Sequence, residues 1–166
     1  HSPETMPHSI EAEQQLLGAV LSNNDVFDRA DSLISSEHFF DPVHANIYEV
    51  ASGRIKKNSI ASPVTLITFL KDDPGLNELG GANYLAKLAA SAVAGFAVQD
   101  YAQLIYDLAI RRQLILLGRD ISERAQKMEI DQEPREQIVD AEQALYQLGE
   151  AGKTDKGFKS FLKAVT

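Results

Sequence analysis

The stretch VQDYAQLIYDLAIRRQLILLGRDISERAQKM, Val98 to Met128, decides the fold. It holds no proline and one glycine, Gly118, so a single helix of roughly 45 Å is expected at about 1.5 Å per residue. Ile110, Leu114, Leu117, Ile121, Ala125 and Met128 recur at intervals of four, three, four, four and three, the narrow seam along which two helices pack. EIDQEP interrupts the pattern. Beyond it, PREQIVDAEQALYQLG places Ile138, Ala141, Leu145 and Leu148 at three, four and three. The spacing predicts an antiparallel helical hairpin. Two helices alone bury one seam, so Ile105, Ile115 and Leu116, which fall off it, are expected to stay wet unless a second copy or another part of the fold covers them.

The same helical period recurs upstream in shorter units. Ser9 precedes IEAEQQLLGAVLS, whose Glu11 and Glu13 lie in the first turn where carboxylates meet the positive helix end. Ile10, Leu17, Val20 and Leu21 form its stripe, with Leu16 beside it. Val26, Phe27, Ala30, Leu33 and Ile34 predict a second helix. Asp41 before Pro42, and Ser62 before Pro63, are two proline-led helix starts; Val43, Ile47, Val50 and Ala51 should face inward in the first, and Val64, Ile67 and Leu70 in the second. DDPG, Asp72–Gly75, should stop the latter as a turn. No run alternates as a half-buried strand does. The fold expected is all-α, a small globular helical head followed by a long antiparallel hairpin: a poorly ordered terminus over 1–8, the head over 9–96, the hairpin over 97–149, and a linker with the start of a further helix over 150–166.

That last segment, AGKTDKGFKSFLKAVT, begins small, charged and flexible. Phe158, Phe161, Leu162 and Val165 then fall at i, i+3, i+4 and i+7. Such a stripe is expected to dock on a surface or continuation outside this sequence.

Sites for chemistry are scarce. Gly80 and Gly81 in LGGANYLAKL precede a helix, an arrangement that can hold phosphate, yet neither G-x-x-x-x-G-K-[ST] nor G-x-G-x-x-G occurs. A helix stop followed by a start, each free to take positive φ, is the economical reading, with Tyr84, Leu85 and Leu88 packing behind. His1, His8, His38 and His44 form no H-x-x-x-H or E-x-x-H pattern. His44 is expected at the polar side or edge of its helix, hydrogen-bonded. No cysteine is present, nor G-x-S-x-G. Glu11, Glu13, Asp72 and Asp73 fit caps or solvated faces better than an acid/base pair. Arg111 and Arg112, near Asp107, Asp120 and Glu123, fit salt bridging. These features argue against an autonomous enzyme, and no metal or cofactor is expected in this chain.

The 166 residues carry a net charge of −8 with 44% hydrophobic and 24% charged residues, the make-up of a soluble globular protein. An acidic surface repels phosphodiester backbones, which disfavours direct nucleic-acid binding and favours a protein partner. The most apolar run, Leu88–Val98, is about half the length of a spanning helix, and HSPETMPHSIEAEQ lacks a signal peptide's basic and apolar regions. No membrane partner is expected.

Taken in order, IEAEQQLLGAVL, EHFFDPVHANIYEV, LGGANYLAKL and YAQLIYDLAIRRQLI resemble the amino-terminal domain of bacterial replicative DNA helicases, the DnaB family. The resemblance spans about Pro7 to Ala125. Two stretches depart from it, IASPVTL and GFAVQD, where the family usually carries aspartate and asparagine. The resemblance implies a cytoplasmic homohexamer, built as a trimer of dimers, that unwinds DNA at the fork. Its ATP and magnesium, and its grip on single-stranded DNA, would belong to a carboxy-terminal RecA-like motor that this sequence does not include. It implies primase and a helicase loader as partners. Self-association is then expected along Leu114, Ile115, Leu116, Leu117, Ile121, Met128, Ile138, Leu145 and Leu148, and primase docking at Asp120, Arg124 and Lys127. Phe158, Phe161, Leu162 and Val165 would begin the linker helix. The competing readings are a stand-alone helical adaptor for a basic protein and a small hydrolase with an unrecognised site; a phosphate-loop motif downstream in the reading frame separates the first reading from both.

Overall fold

A computed structural model describes residues 5–91, 97–128 and 130–165, those of 151–165 as backbone only. No strand occurs among the described residues. The helices are α1 (Ile10–Ser22), α2 (Phe27–Asp31), α3 (Pro42–Lys56), α4 (Pro63–Leu70), α5 (Pro74–Leu79), α6 (Ala82–Ala90), α7 (Val98–Gln126) and α8 (Pro134–Val165), with 3-10 turns at Asn24–Val26 and Ser36–His38. Two compact units divide the chain between Ala109 and Ile110.

In the head, α1 packs chiefly on α6 and also on α3. Ser9 caps α1 by accepting the Ala12 N–H at 3.1 Å. Burial reaches beyond the expected stripe, because Ala12, Gly18 and Ala19 are enclosed along with Leu16, Leu17, Val20 and Leu21, while Ile10 is half-buried. The second helix is shorter than its spacing predicts. Asn23 turns its side chain onto the Asp25 N–H, and the Asn24 amide donates to the Val20 and Ala61 carbonyls while accepting from the Ala61 N–H. These bonds draw the chain into a 3-10 turn, while Val26, Phe27, Ala30 and Ile34 still reach the core.

Asp41 caps α3 onto the Val43 N–H at 2.8 Å, ahead of Pro42. The inward face is rotated from the expected one: Ile47 and Ala51 are buried, His44 and Tyr48 are buried beside them, and Val43 and Val50 are half-buried. Burial pushes the Tyr48 phenol far up, reinforced by Asp31. In α4, Ser62 and Thr65 form a reciprocal capping box. Leu66 and Leu70, four apart, are the buried pair, and Val64 faces out instead of joining the stripe.

DDPG both ends α4 and starts α5. Asp73 accepts the Leu76 N–H at 3.2 Å and the Asn46 amide at 2.7 Å, and those bonds, the Asn46 one first, hold its carboxyl below the ordinary value. Gly80 has φ 119° and Gly81 φ 61°, left-handed conformations open to glycine. They end α5 and set α6, whose Leu85 and Leu88 are buried.

The division inside α7 moves the expected head boundary. Val98, Ala102, Ile105 and Ala109 are buried, and the spacing of four, three and four keeps them on one face, so the first turns of α7 complete the head. Ile105 is therefore core rather than wet. At the other end α8 continues to Val165 through the stretch that composition marks as a linker. Gly152 and Gly157 weaken a helix without breaking it, and no proline interrupts them. The stripe Phe158, Phe161, Leu162 and Val165 lies where side chains are outside the described residues. At the amino end, residues 1–4 are outside them too, whereas His8 stacks on Phe40 with ring centroids 4.0 Å apart.

Candidate interaction surface

Two features of the structure could carry function: a buried polar cluster in the head, and the apolar flanks of the hairpin unit.

The cluster joins α1, the Phe40–Asp41 turn, α3 and α6. Glu13, 2% exposed, accepts the Phe40 N–H at 2.7 Å, the Asp41 N–H at 3.3 Å and His44 Nδ1–H at 2.8 Å. His44 Nε2 lies 2.6 Å from the Tyr84 hydroxyl, which in turn accepts from the Gln14 amide at 3.1 Å. One set of donors and acceptors satisfies the whole chain: Gln14 donates to Tyr84, Tyr84 donates to Nε2 of His44, and His44 donates from Nδ1 to Glu13. A carboxylate behind an imidazole is also how catalytic histidines are oriented. Here, however, the group facing the imidazole is a phenol that burial raises above its ordinary value, and the imidazole itself is fully buried. Neither cavity described below is lined by these residues. The cluster is a tertiary staple.

Sequence reasoning missed it. A glutamate in a first helical turn is normally solvated, and the donors that enclose this one come from residues 27 to 31 positions away. His44 is hydrogen-bonded as expected, but at full burial rather than at a helix edge. Tyr84→Phe should lower stability by about 1–2 kcal/mol, because Nε2 of His44 loses its buried partner. A urea midpoint that falls with unchanged slope is the expected reading.

In the second unit, α7 and α8 are joined by the Gln137 amide donating to the Ile121 carbonyl at 2.7 Å. Arg124 pairs with Asp120 at 3.3 Å and with Asp140 at 3.6 Å. A cleft of about 260 Å³ between the two helices is lined by, among others, Leu117, Ile121, Gln137, Ala141 and Ala144. The intrachain seam is thus narrower than the spacing predicts. Leu117, Ile121, Ala141 and Leu148 are half-buried, together with Gln137 and Ala144. Ile138 (59% exposed), Leu145, Leu114 and Met128 stand outside it. The reason is register: the α8 face turned to α7 runs through Gln137, Ala141, Ala144 and Leu148, where two alanines and a hydrogen-bonded glutamine fit a close approach.

Ile115 is half-buried and Leu116 exposed. Val139 and Tyr146 (69% exposed) extend the uncovered surface of α8. Asp120, Arg124 and Lys127 are exposed. Asp120 is engaged by Arg124, one turn further along α7.

Among the described residues, no three His, Asp or Glu side chains gather where a metal could sit, and no helix is long and apolar enough to cross a membrane.

The comparisons with known proteins follow this anatomy. The family model for the DnaB-like helicase N terminal domain matches residues 5–107, close to the extent of the head. The replicative DNA helicase DnaB of Rickettsia felis is 40% identical over 156 residues, covering 94% of this chain and 32% of that protein. The Pasteurella multocida replicative DNA helicase DnaB is 27% identical over 117 residues, 70% of this chain and 25% of its own length. The chain spans about a third of the length of the first of these relatives. Among solved structures, the N-terminal domain of DnaB helicase from Mycobacterium tuberculosis matches with a TM-score of 0.78 at 23% identity, covering 86% of this chain and 99% of that one. A DnaB-like replicative helicase described with its interactions with primase matches at 0.63 and 23% identity, over 82% of this chain and 31% of that one.

Proposed function

Because the chain belongs to the family of DnaB-like helicase N-terminal domains, we propose that it is the collar of a hexameric replicative helicase. It joins subunits and receives primase while contributing no catalytic group. Its relatives are about three times its length, and the motor that binds ATP, magnesium and single-stranded DNA belongs to the remainder of such a protein. A helicase loader acts on the same ring.

The observation that carries this reading is the uncovered apolar surface of the hairpin. Leu114, Leu116, Ile138, Val139, Leu145 and Tyr146 are all exposed. Half-exposed side chains of this size each recover roughly 1 kcal/mol on being covered. Covering several of them from each of two copies offsets part of the roughly 4–15 kcal/mol that association costs. Pairing through this surface is therefore concentration-dependent. Leu114 and Leu116, about 200° apart around a helix, face different sides. Ile138 and Leu145 share one line of α8, Val139 and Tyr146 the next. More than one neighbour can be served, as a trimer of dimers requires. Gly118 leaves open space where a Cβ would stand, room for a second backbone to come near.

The primase reading is tested by replacing Asp120, Arg124 and Lys127 together with alanine. Affinity for primase, measured by calorimetry, should fall about tenfold or more, with the mass of the collar unchanged. An unaltered affinity would place primase on another surface.

A further inference from the structure

Where α3 meets α4, the head carries an open cavity of about 220 Å³ lined by Val50, Gly53, Arg54, Lys57, Ser59 and Phe69. Its floor is Gly53, inside α3, where a Cβ would meet nothing within 4 Å. Glycine weakens a helix interior relative to alanine, and no neighbour in the chain requires it here. One wall is the exposed ring of Phe69, with the Arg54 guanidinium 5.5 Å from its centroid. Arg54 is itself anchored by Nε–H donating to the Ile60 carbonyl at 2.7 Å. Lys57 and Ser59 form the rim, fixed by left-handed Asn58 and by the Ser59 N–H bonding the Arg54 carbonyl at 2.9 Å. The cavity is preformed, apolar at its base and cationic at its edge. A bulky aliphatic side chain followed by carboxylates would fit it.

The chain carries such a segment. In the turn between α7 and α8, Met128 is 95% exposed and Ile130 100%. Exposed Asp131 and Glu133 follow them, and Glu129 lies between them in the sequence. Two large apolar side chains left in water beside acidic residues mark a contact surface. We propose that Met128 and Ile130 of one copy insert into the Val50–Gly53–Phe69 cavity of a second copy, with Lys57 meeting the carboxylates of Asp131 and Glu133. Turn and cavity are different surfaces, so the contact is heterologous. It rests on the self-association proposed above and uses neither flank of the hairpin.

The chain has no cysteine, which makes disulfide trapping clean. Ile130→Cys and Gly53→Cys are placed in separate chains, one size-tagged, then mixed and oxidised. The mixed disulfide should form about tenfold faster than with Glu11→Cys as partner, and Met128→Asp should return it to that background. With the second cysteine moved to Ser59, Gly53→Leu should fill the cavity and abolish the link. Leu116→Asp lowers the particle mass if the hairpin flanks pair, and leaves a link that still depends on Met128, so the two contacts fail separately. A link no faster than the Glu11 control, or one indifferent to Met128→Asp, overturns the proposal.

Discussion

Glu13→Ala lowers the stability of the head by about 3–5 kcal/mol, the lower part of the range for orphaning three buried donors together. Three donors lose their acceptor at once: the Phe40 and Asp41 N–H groups and Nδ1–H of His44. Each orphaned group carries its own desolvation cost of about 1–3 kcal/mol, partly relieved where the alanine's smaller volume admits water. Domain stability is of order 5–15 kcal/mol, so the loss is a large share of the whole. Glu11, two residues earlier in the same turn and exposed, supplies the control, since Glu11→Ala should stay within about 1 kcal/mol of the parent. Urea titrations of both variants, followed by circular dichroism, compare them directly. Equal midpoints would mean that the staple contributes nothing beyond what water offers Glu13 in the unfolded chain.

The second large effect lies in assembly rather than in folding. Leu116→Asp and Ile115→Asp each put a carboxylate on the hairpin surface that self-association is proposed to cover. Burying an unpaired carboxylate in an interface costs several kcal/mol, and each 1.4 kcal/mol is tenfold in the association constant. Either variant should therefore weaken pairing by a hundredfold or more, to the order of thousands. For Leu116→Asp the monomer's melting should hardly change, because Leu116 is already 49% exposed within one copy. Loss of helicity or of melting cooperativity in these variants would instead place the side chains in the fold.

Much of this architecture is legible in the sequence, and the reason is local. Ser9, Asp41–Pro42, Ser62–Pro63 and Gly80–Gly81 act within three or four residues of themselves, so their roles as caps and corners follow from short-range chemistry. The all-α class follows from the uniform period, and the hairpin from EIDQEP between two matched stripes. What escaped depends on distance. Glu13 and His44 look like surface residues until Phe40, Asp41 and Tyr84 close around them. The extra half-helix α5 hides in DDPG because the same residues that stop one helix cap the next. Ile105 belongs to the head because Val98, Ala102 and Ala109 share its face and the rest of the head is there to receive them.

The hairpin register shows the same limit. Spacing alone cannot choose between Ile138 and Gln137 as the residue facing α7, and the side-chain bond from Gln137 to the Ile121 carbonyl together with the small Ala141 and Ala144 decides it. The large residues so displaced, Ile138 and Leu145, are left outside, where a second chain can cover them. Nothing local in Asp120, Arg124 and Lys127 encodes the shape of a primase, so their role rests on exposure alone.

The central claim is that the hairpin's uncovered apolar flanks are completed by another copy of the same chain. Sedimentation equilibrium of the unsubstituted chain across a range of concentrations tests it most directly. Particles whose mass rises to twice the 18.2 kDa of one chain or higher multiples, and falls back on dilution, are the expected result; a single 18.2 kDa species at every concentration would contradict it.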